Sequence, residues 1–192
     1  MYKSIYHTLF ESYLSYGITV WGGISKSKLN PLITLQKKCI RILFGDKVAY
    51  LEKFSTCARS LQVEDQILGA KFFIKENTKP LFNKNVILTL QHLYHYHMIL
   101  NTYKILNTRV PISLYSCFTL SKRKETLLLT PSPSHNFVYN AARIWNIVRD
   151  LLSILTFGIK ISDIKNKSKK LLFHRQKLGD QIEWSDENFL LR

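Results

Sequence analysis

Residues 13–44 read YLSYGITVWGGISKSKLNPLITLQKKCIRILF, and the rest of the chain is best understood outward from them. The stretch has three parts: an aromatic-rich turn, a serine/lysine hinge and an amphipathic run with a basic back. Leu29, Leu32, Ile33, Gln36, Cys39, Ile40, Leu43 and Phe44 recur at the i, i+3, i+4, i+7 spacing that lines one stripe of a helix. Gln36 is the one polar residue in that stripe. Thr34, Lys37, Lys38 and Arg41 recur on the opposite side, the last three as a ladder of cations. Ser27 can cap the start, Pro31 is tolerable only in a first turn, and Gly45 is placed to stop the run. The spacing predicts a helix over Leu29 to Phe44.

Composition narrows the classes. With 192 residues the chain makes one ordinary domain or two small ones and can bury a core. A hydrophobic share of 46% with 12% aromatics argues for a folded protein. Lys and Arg number 28 against 13 Asp and Glu, a formal charge of +15. Such a surface attracts polyanions, nucleic acid before anionic membrane. Cys39, Cys57 and Cys117 are scattered and form no CxxC pair, which suits a reducing compartment, with Cys39 read as a core residue. No signal peptide is visible, and Leu151 to Ile159 is too short to span a bilayer. An intracellular protein of the nucleus or cytoplasm, with no membrane partner, is expected.

The remaining pattern is mainly α. Met1 to Tyr16 reads as a helix with Ile5, Leu9, Tyr13 and Tyr16 on one side, an apolar side suited to docking on a partner or to self-association. Gly17 breaks it, and Ile18 to Trp21 reads as a buried connector. Tyr50 to Leu61 suggests a short helix, residues 62–78 are unclear, and Pro80 opens a helical turn through Phe82. Val86 to Asn107 is a long helix candidate that stops before Pro111. Residues 108–136 read as irregular, with a strand-like Leu127-Leu128-Leu129 and a Thr-Pro-Ser-Pro-Ser linker at 130–134. Helical spacing resumes over Tyr139 to Leu155. A last helix runs from a Ser162 cap to Leu178, with Gly179 as its stop. The expected organisation is a small helical unit over residues 1–45, then a helical extension over 46–192.

Catalytic chemistry finds no foothold. The six aspartates, Asp46, Asp65, Asp150, Asp163, Asp180 and Asp186, include no adjacent pair. His92, His95 and His97 form an HxxHxH run, but on a helix His97 leaves the face of the other two and no fourth ligand is near. Polar or half-buried helix histidines are the simpler reading, and no metal or cofactor is expected. No Gly-rich phosphate loop or nucleophile elbow is present. Trp21 and Trp145 read as core residues rather than stacking platforms. The basic ladder Lys37, Lys38 and Arg41, preceded by Lys26 and Lys28, is the leading candidate site. A second basic stretch over residues 160–177 includes Lys165, Lys169 and Lys170. A solvated outer face is the plain alternative for both.

The block YLSYGITVWGG followed by SKSKLNPLITLQKKCIRILFG resembles the region just past the catalytic palm in reverse transcriptases of jockey-like non-LTR retrotransposons. Leu14, Tyr16, Gly17, Trp21 and Gly22 match the family's turn and Trp-Gly pair. Leu32, Leu35, Gln36, Lys38, Arg41 and Ile42 match its LxxLQxKxxRxI helix. ENTKPLF at Glu76 to Phe82 and AARIWNIV at Ala141 to Val148 are similar to its downstream segments. The resemblance implies the thumb, over residues 1–45, and the C-terminal extension of such an enzyme. It implies contact with the phosphates of RNA or an RNA–DNA hybrid. The family's Tyr/Phe-x-Asp-Asp turn is absent here, so no polymerase activity of this chain alone is expected. An interaction module, or a decayed element copy without selected function, remains the alternative.

Overall fold

The computed structural model describes residues 2–45, 77–121, 128–129, 137–151 and 159–179. Among them eight helices and one two-stranded antiparallel pair make a mainly α fold. The chain enters as an α-helix over Tyr2–Ile5, winds as a π-helix over Tyr6–Glu11 and returns to α geometry over Ser12–Ser15; this whole stretch is α1. The side read as suited to docking faces outward. Tyr6 and Leu14 are buried with Phe10 between them, whereas Leu9, Tyr13 and Tyr16 are 62%, 82% and 86% exposed. The side that finds the core is the one whose Tyr6 hydroxyl meets the buried amide of Gln36.

Gly17 ends α1 at φ +62°, a left-handed conformation that costs glycine little. The connector after it is one helical turn, α2, over Ile18–Trp21. Only part of it is buried: Ile18 is sealed in, while Val20 is 83% exposed because adjacent residues of a single turn cannot all face inward. Helix α3, Lys26–Phe44, starts three residues before the expected Leu29, with Ser25 rather than Ser27 at the N-cap. Pro31 therefore sits in the second turn, not the first. Its missing N–H leaves the Ser27 carbonyl without a helical partner, and both residues are exposed, where water can satisfy that group.

Lys79–Asn85 forms α4, with Pro80 in its first turn, and Val86 closes it at φ 57°. Helix α5, Leu90–Thr108, begins four residues after the expected Val86, because Val86 is left-handed and Thr89 extended. The expected stop before Pro111 holds. A short α6 over Ile112–Tyr115 leads to β1, Thr119–Leu120. Strand β2, Leu128–Leu129, pairs with it, Leu120 opposite Leu128, so the strand-like leucines find a partner. Phe137–Leu151 forms α7 and Ile161–Leu178 forms α8, which Lys160 rather than Ser162 caps and after which Gly179 turns at φ +89°. The expected helix at 50–61, the segment 62–76 and the linker at 130–134 lie outside the described residues.

Helix α5 is the centre. Apolar and buried residues occur all round it, the mark of a helix enclosed by others. Leu93, Met98, Ile99 and Tyr103 pack with Ala141, Ile144 and Trp145 of α7 and with Ile164 and Leu172 of α8. Leu14, Ile18 and Leu29 join the same cluster, so packing runs across residue 45. A smaller cluster of Tyr6, Ile40, Phe82 and Ile87 closes the other end of α3. Gly22 lets the Tyr94 ring approach closely: a Cβ there would stand 2.4 Å from that ring and from the Ile18 carbonyl. Trp145 is fully buried, with its ring 6.0 Å from that of Tyr103, while Trp21 is half-buried and donates from Nε1 to the Tyr16 carbonyl at 2.9 Å. Among the described residues, no helix is long and apolar enough to cross a membrane.

Candidate nucleic-acid interface

A basic face can serve a polyanion only if the helix that bears it is held in one orientation. For α3 the apolar stripe supplies most of the hold: Leu29, Gln36 and Ile40 are buried, and Leu32, Ile33, Cys39, Leu43 and Phe44 half-buried. Burial pushes the Cys39 thiol up, as suits a residue packed beside a core. The polar member of the stripe fixes the rest. Gln36 Nε2 donates to Tyr6 Oη at 2.8 Å and to the Leu88 carbonyl at 3.0 Å, and the Leu90 N–H donates to Gln36 Oε1 at 2.9 Å.

Helix α8 repeats the device. Its buried column is Ile164, Ser168, Leu172 and Gln176. Gln176 Nε2 donates to the Ile87 carbonyl at 2.9 Å, and the Thr89 N–H donates to Gln176 Oε1 at 2.9 Å. Residues 87 to 90 are thus paired on both edges, like a central strand, with side-chain amides in place of neighbouring strands. The Leu88 carbonyl and Leu90 N–H turn to α3 and the Ile87 carbonyl and Thr89 N–H to α8, while the Ile87 N–H donates to the Phe82 carbonyl at 3.0 Å and the Thr89 carbonyl accepts from the Leu93 N–H at 2.8 Å. Asn146 of α7 does the same for Leu128, accepting its N–H at 3.0 Å and donating to its carbonyl at 2.8 Å. Each amide satisfies backbone groups that would be costly to bury alone.

The cations stand on the outside of these seats. Lys37 and Lys38 are exposed and Arg41 half-buried. Lys26 is the first residue of α3, about three turns before Lys37. Lys28 is exposed but lies about two and a half turns from Lys37, on the other flank beside the exposed Leu35 and Ile42. On α8, Lys165, Lys169 and Lys170 are all exposed. Lys165 and Lys169 share a flank one turn apart, and Lys170 lies farther round the outer side with Lys177, whose Nζ sits 4.8 Å from the Phe173 ring centroid. The structure therefore gathers Lys37, Lys38 and Arg41 in one row, separates Lys28 from it, and places the α8 lysines on a second row.

The whole chain carries 28 Lys and Arg against 13 Asp and Glu, a formal charge of +15. His7 Nδ1 and Glu11 Oε2 lie 2.7 Å apart. Positive potential reaches the interior as well. His95 is pushed down to about 3, first by burial and then by the charges of His92, Arg143 and Arg175, so it is neutral at pH 7. Burial lowers His97 and Arg175 too. The Thr89 hydroxyl and His92 Nδ1 lie 2.8 Å apart at the start of α5, and the His92 and His95 rings meet edge to face at 6.3 Å. Both rings are buried rather than half-exposed, in helix packing; among the described residues no three His, Cys, Asp or Glu gather as metal ligands would.

The chain matches no family model, no curated protein and no solved structure. The site rests on its own geometry. Sequence reasoning found both rows of lysines but missed the amide seats beneath them. Gln36 was signalled as the lone polar residue of an apolar stripe. Gln176 lies in a lysine-rich run where polarity is unremarkable, and nothing local marks Asn146.

Proposed function

We propose that this chain binds RNA or an RNA–DNA hybrid through backbone phosphates, as the thumb and C-terminal extension of a non-LTR retrotransposon reverse transcriptase. The observation that carries the reading is the exposure of Lys37, Lys38, Lys165, Lys169 and Lys170 along α3 and α8 in a chain of formal charge +15. Phosphate contacts position a protein without reading sequence, and exposed lysines on a firmly seated helix suit that task. In this role the chain grips a template-primer and does no chemistry itself. Binding of a generic hybrid should weaken steeply with salt, at a log-log slope of about −3 to −4 for four phosphates. Changing Lys37, Lys38 and Arg41 together to Ala should reduce the magnitude of that slope by about 2 to 3. No binding at low salt, or an unchanged slope, counts against the reading.

A second reading is favoured by the outer side of α1 and α2. Leu9, Tyr13, Tyr16 and Val20 expose apolar surface of the kind that marks protein contacts. There the chain would dock on a partner, or on its own copy, through the first helix. Light scattering across a dilution series tests it: a mass that stays monomeric at the highest concentration excludes self-association.

A further inference from the structure

We propose that the α3 and α8 rows are two separate nucleic-acid faces, so that one chain holds two duplexes or strands at once. This rests on the binding reading above and goes beyond it, because a single clamp needs only one rail. Segment 87–90 supplies the argument. Gln36 takes the Leu88 carbonyl and the Leu90 N–H, and Gln176 takes the Ile87 carbonyl and the Thr89 N–H. Polar groups of successive residues in an extended segment point to opposite edges, so α3 and α8 flank it from opposite sides. In each helix the glutamine belongs to the buried side; Lys38 and Arg41 of α3 and Lys170 of α8 stand on the outer side, with Lys165 and Lys169 on the flank of α8. Lys38 lies about half a turn from Gln36 in helical phase, and Lys170 and Lys177 stand well round α8 from its buried column. Two helices that turn the same kind of buried side toward one strand turn their outer sides away from each other. Their lysines cannot follow the same run of phosphates. What they can do is bring two polyanions to opposite sides of one small body and screen the repulsion between them.

The full chain is tested with a short RNA–DNA hybrid, half carrying a donor and half an acceptor fluorophore. Stoichiometry is read by sedimentation with hybrid in excess at low salt. The expected result is two hybrids per chain, with energy transfer between them. Charge reversal at one face (Lys37→Glu with Lys38→Glu) should leave one hybrid per chain and abolish transfer, and reversal at the other (Lys169→Glu with Lys170→Glu) should do the same. The affinity of the intact face should change by no more than about twofold, as for distant independent sites. Circular dichroism of each variant confirms that the helices persist, and the neutral pair at the same face (Lys37→Gln with Lys38→Gln, or Lys169→Gln with Lys170→Gln) replaces a reversal that fails to fold. One hybrid per chain, with either reversal removing it, overturns the two-face arrangement while leaving the binding function intact. Absence of binding by the unaltered chain overturns both.

Discussion

Helices α3 and α8 are built to one plan and held with different security. Both carry a basic outer side, both bury one glutamine, and both place that glutamine's amide on segment 87–90. Yet α3 brings a wide stripe, shared between the main core and the small cluster of Tyr6, Ile40, Phe82 and Ile87. The fully buried column of α8 is half polar, Ser168 and Gln176 beside Ile164 and Leu172, with Ile161, Leu171 and Phe173 packed half-buried around it. The difference teaches that apolar area seats a helix, while a buried amide sets its rotation and its register on a neighbour. A face that must present charge in one direction needs both.

The comparison can be broken most forcefully at its polar ends. Gln36→Met keeps the length of the side chain but strands the Leu88 carbonyl and the Leu90 N–H. A loss of about 3–5 kcal/mol is expected in urea denaturation, since each buried orphan costs about 1–3 kcal/mol. Gln176→Met strands the Ile87 carbonyl and the half-buried Thr89 N–H, and should cost about 2–3 kcal/mol. If the order of the two reverses, the glutamine matters more where the apolar seat is narrower, and the area argument for α3 fails.

Acid should act on the core between the two helices. His95 binds a proton in the unfolded chain below its ordinary value near 6.5, but in the folded chain only near 3. The unfolded state therefore holds more protons across that window, and stability is lost as pH falls through it, by about 1.4 kcal/mol per pH unit for one such group. The lowered His97 adds in the same direction. Thermal melts from pH 7 down to pH 4 should show the decline, and His95→Gln should flatten it. The smallest effect is expected outside: Lys37→Ala with Lys38→Ala should move the denaturation midpoint by no more than about 0.5 kcal/mol, because both side chains are solvated. A larger change would mean that these lysines are structural, and the phosphate reading of α3 would lose its site.

Helical periodicity alone located the long helices, because apolar spacing near 3.6 residues registers burial whatever the partner is. It placed α3, α7 and α8 within a few residues of their bounds and put the cations of α3 opposite its stripe. It did not register the inward side of α1, where Tyr6, Phe10 and Leu14 meet the core across a π-wound stretch. The start of α5 escaped it too, since nothing apolar distinguishes a buried extended leucine from a helical one.

The amino-acid order by itself determined a mainly helical body, a strong positive charge and the outward placement of Lys37, Lys38 and Lys170, for these follow from local spacing and composition. Only the tertiary structure decided that α5 is the centre and that Gln36 and Gln176 meet across residues 87–90. Those facts depend on which distant backbone groups need partners once water is excluded, and no local pattern records that need.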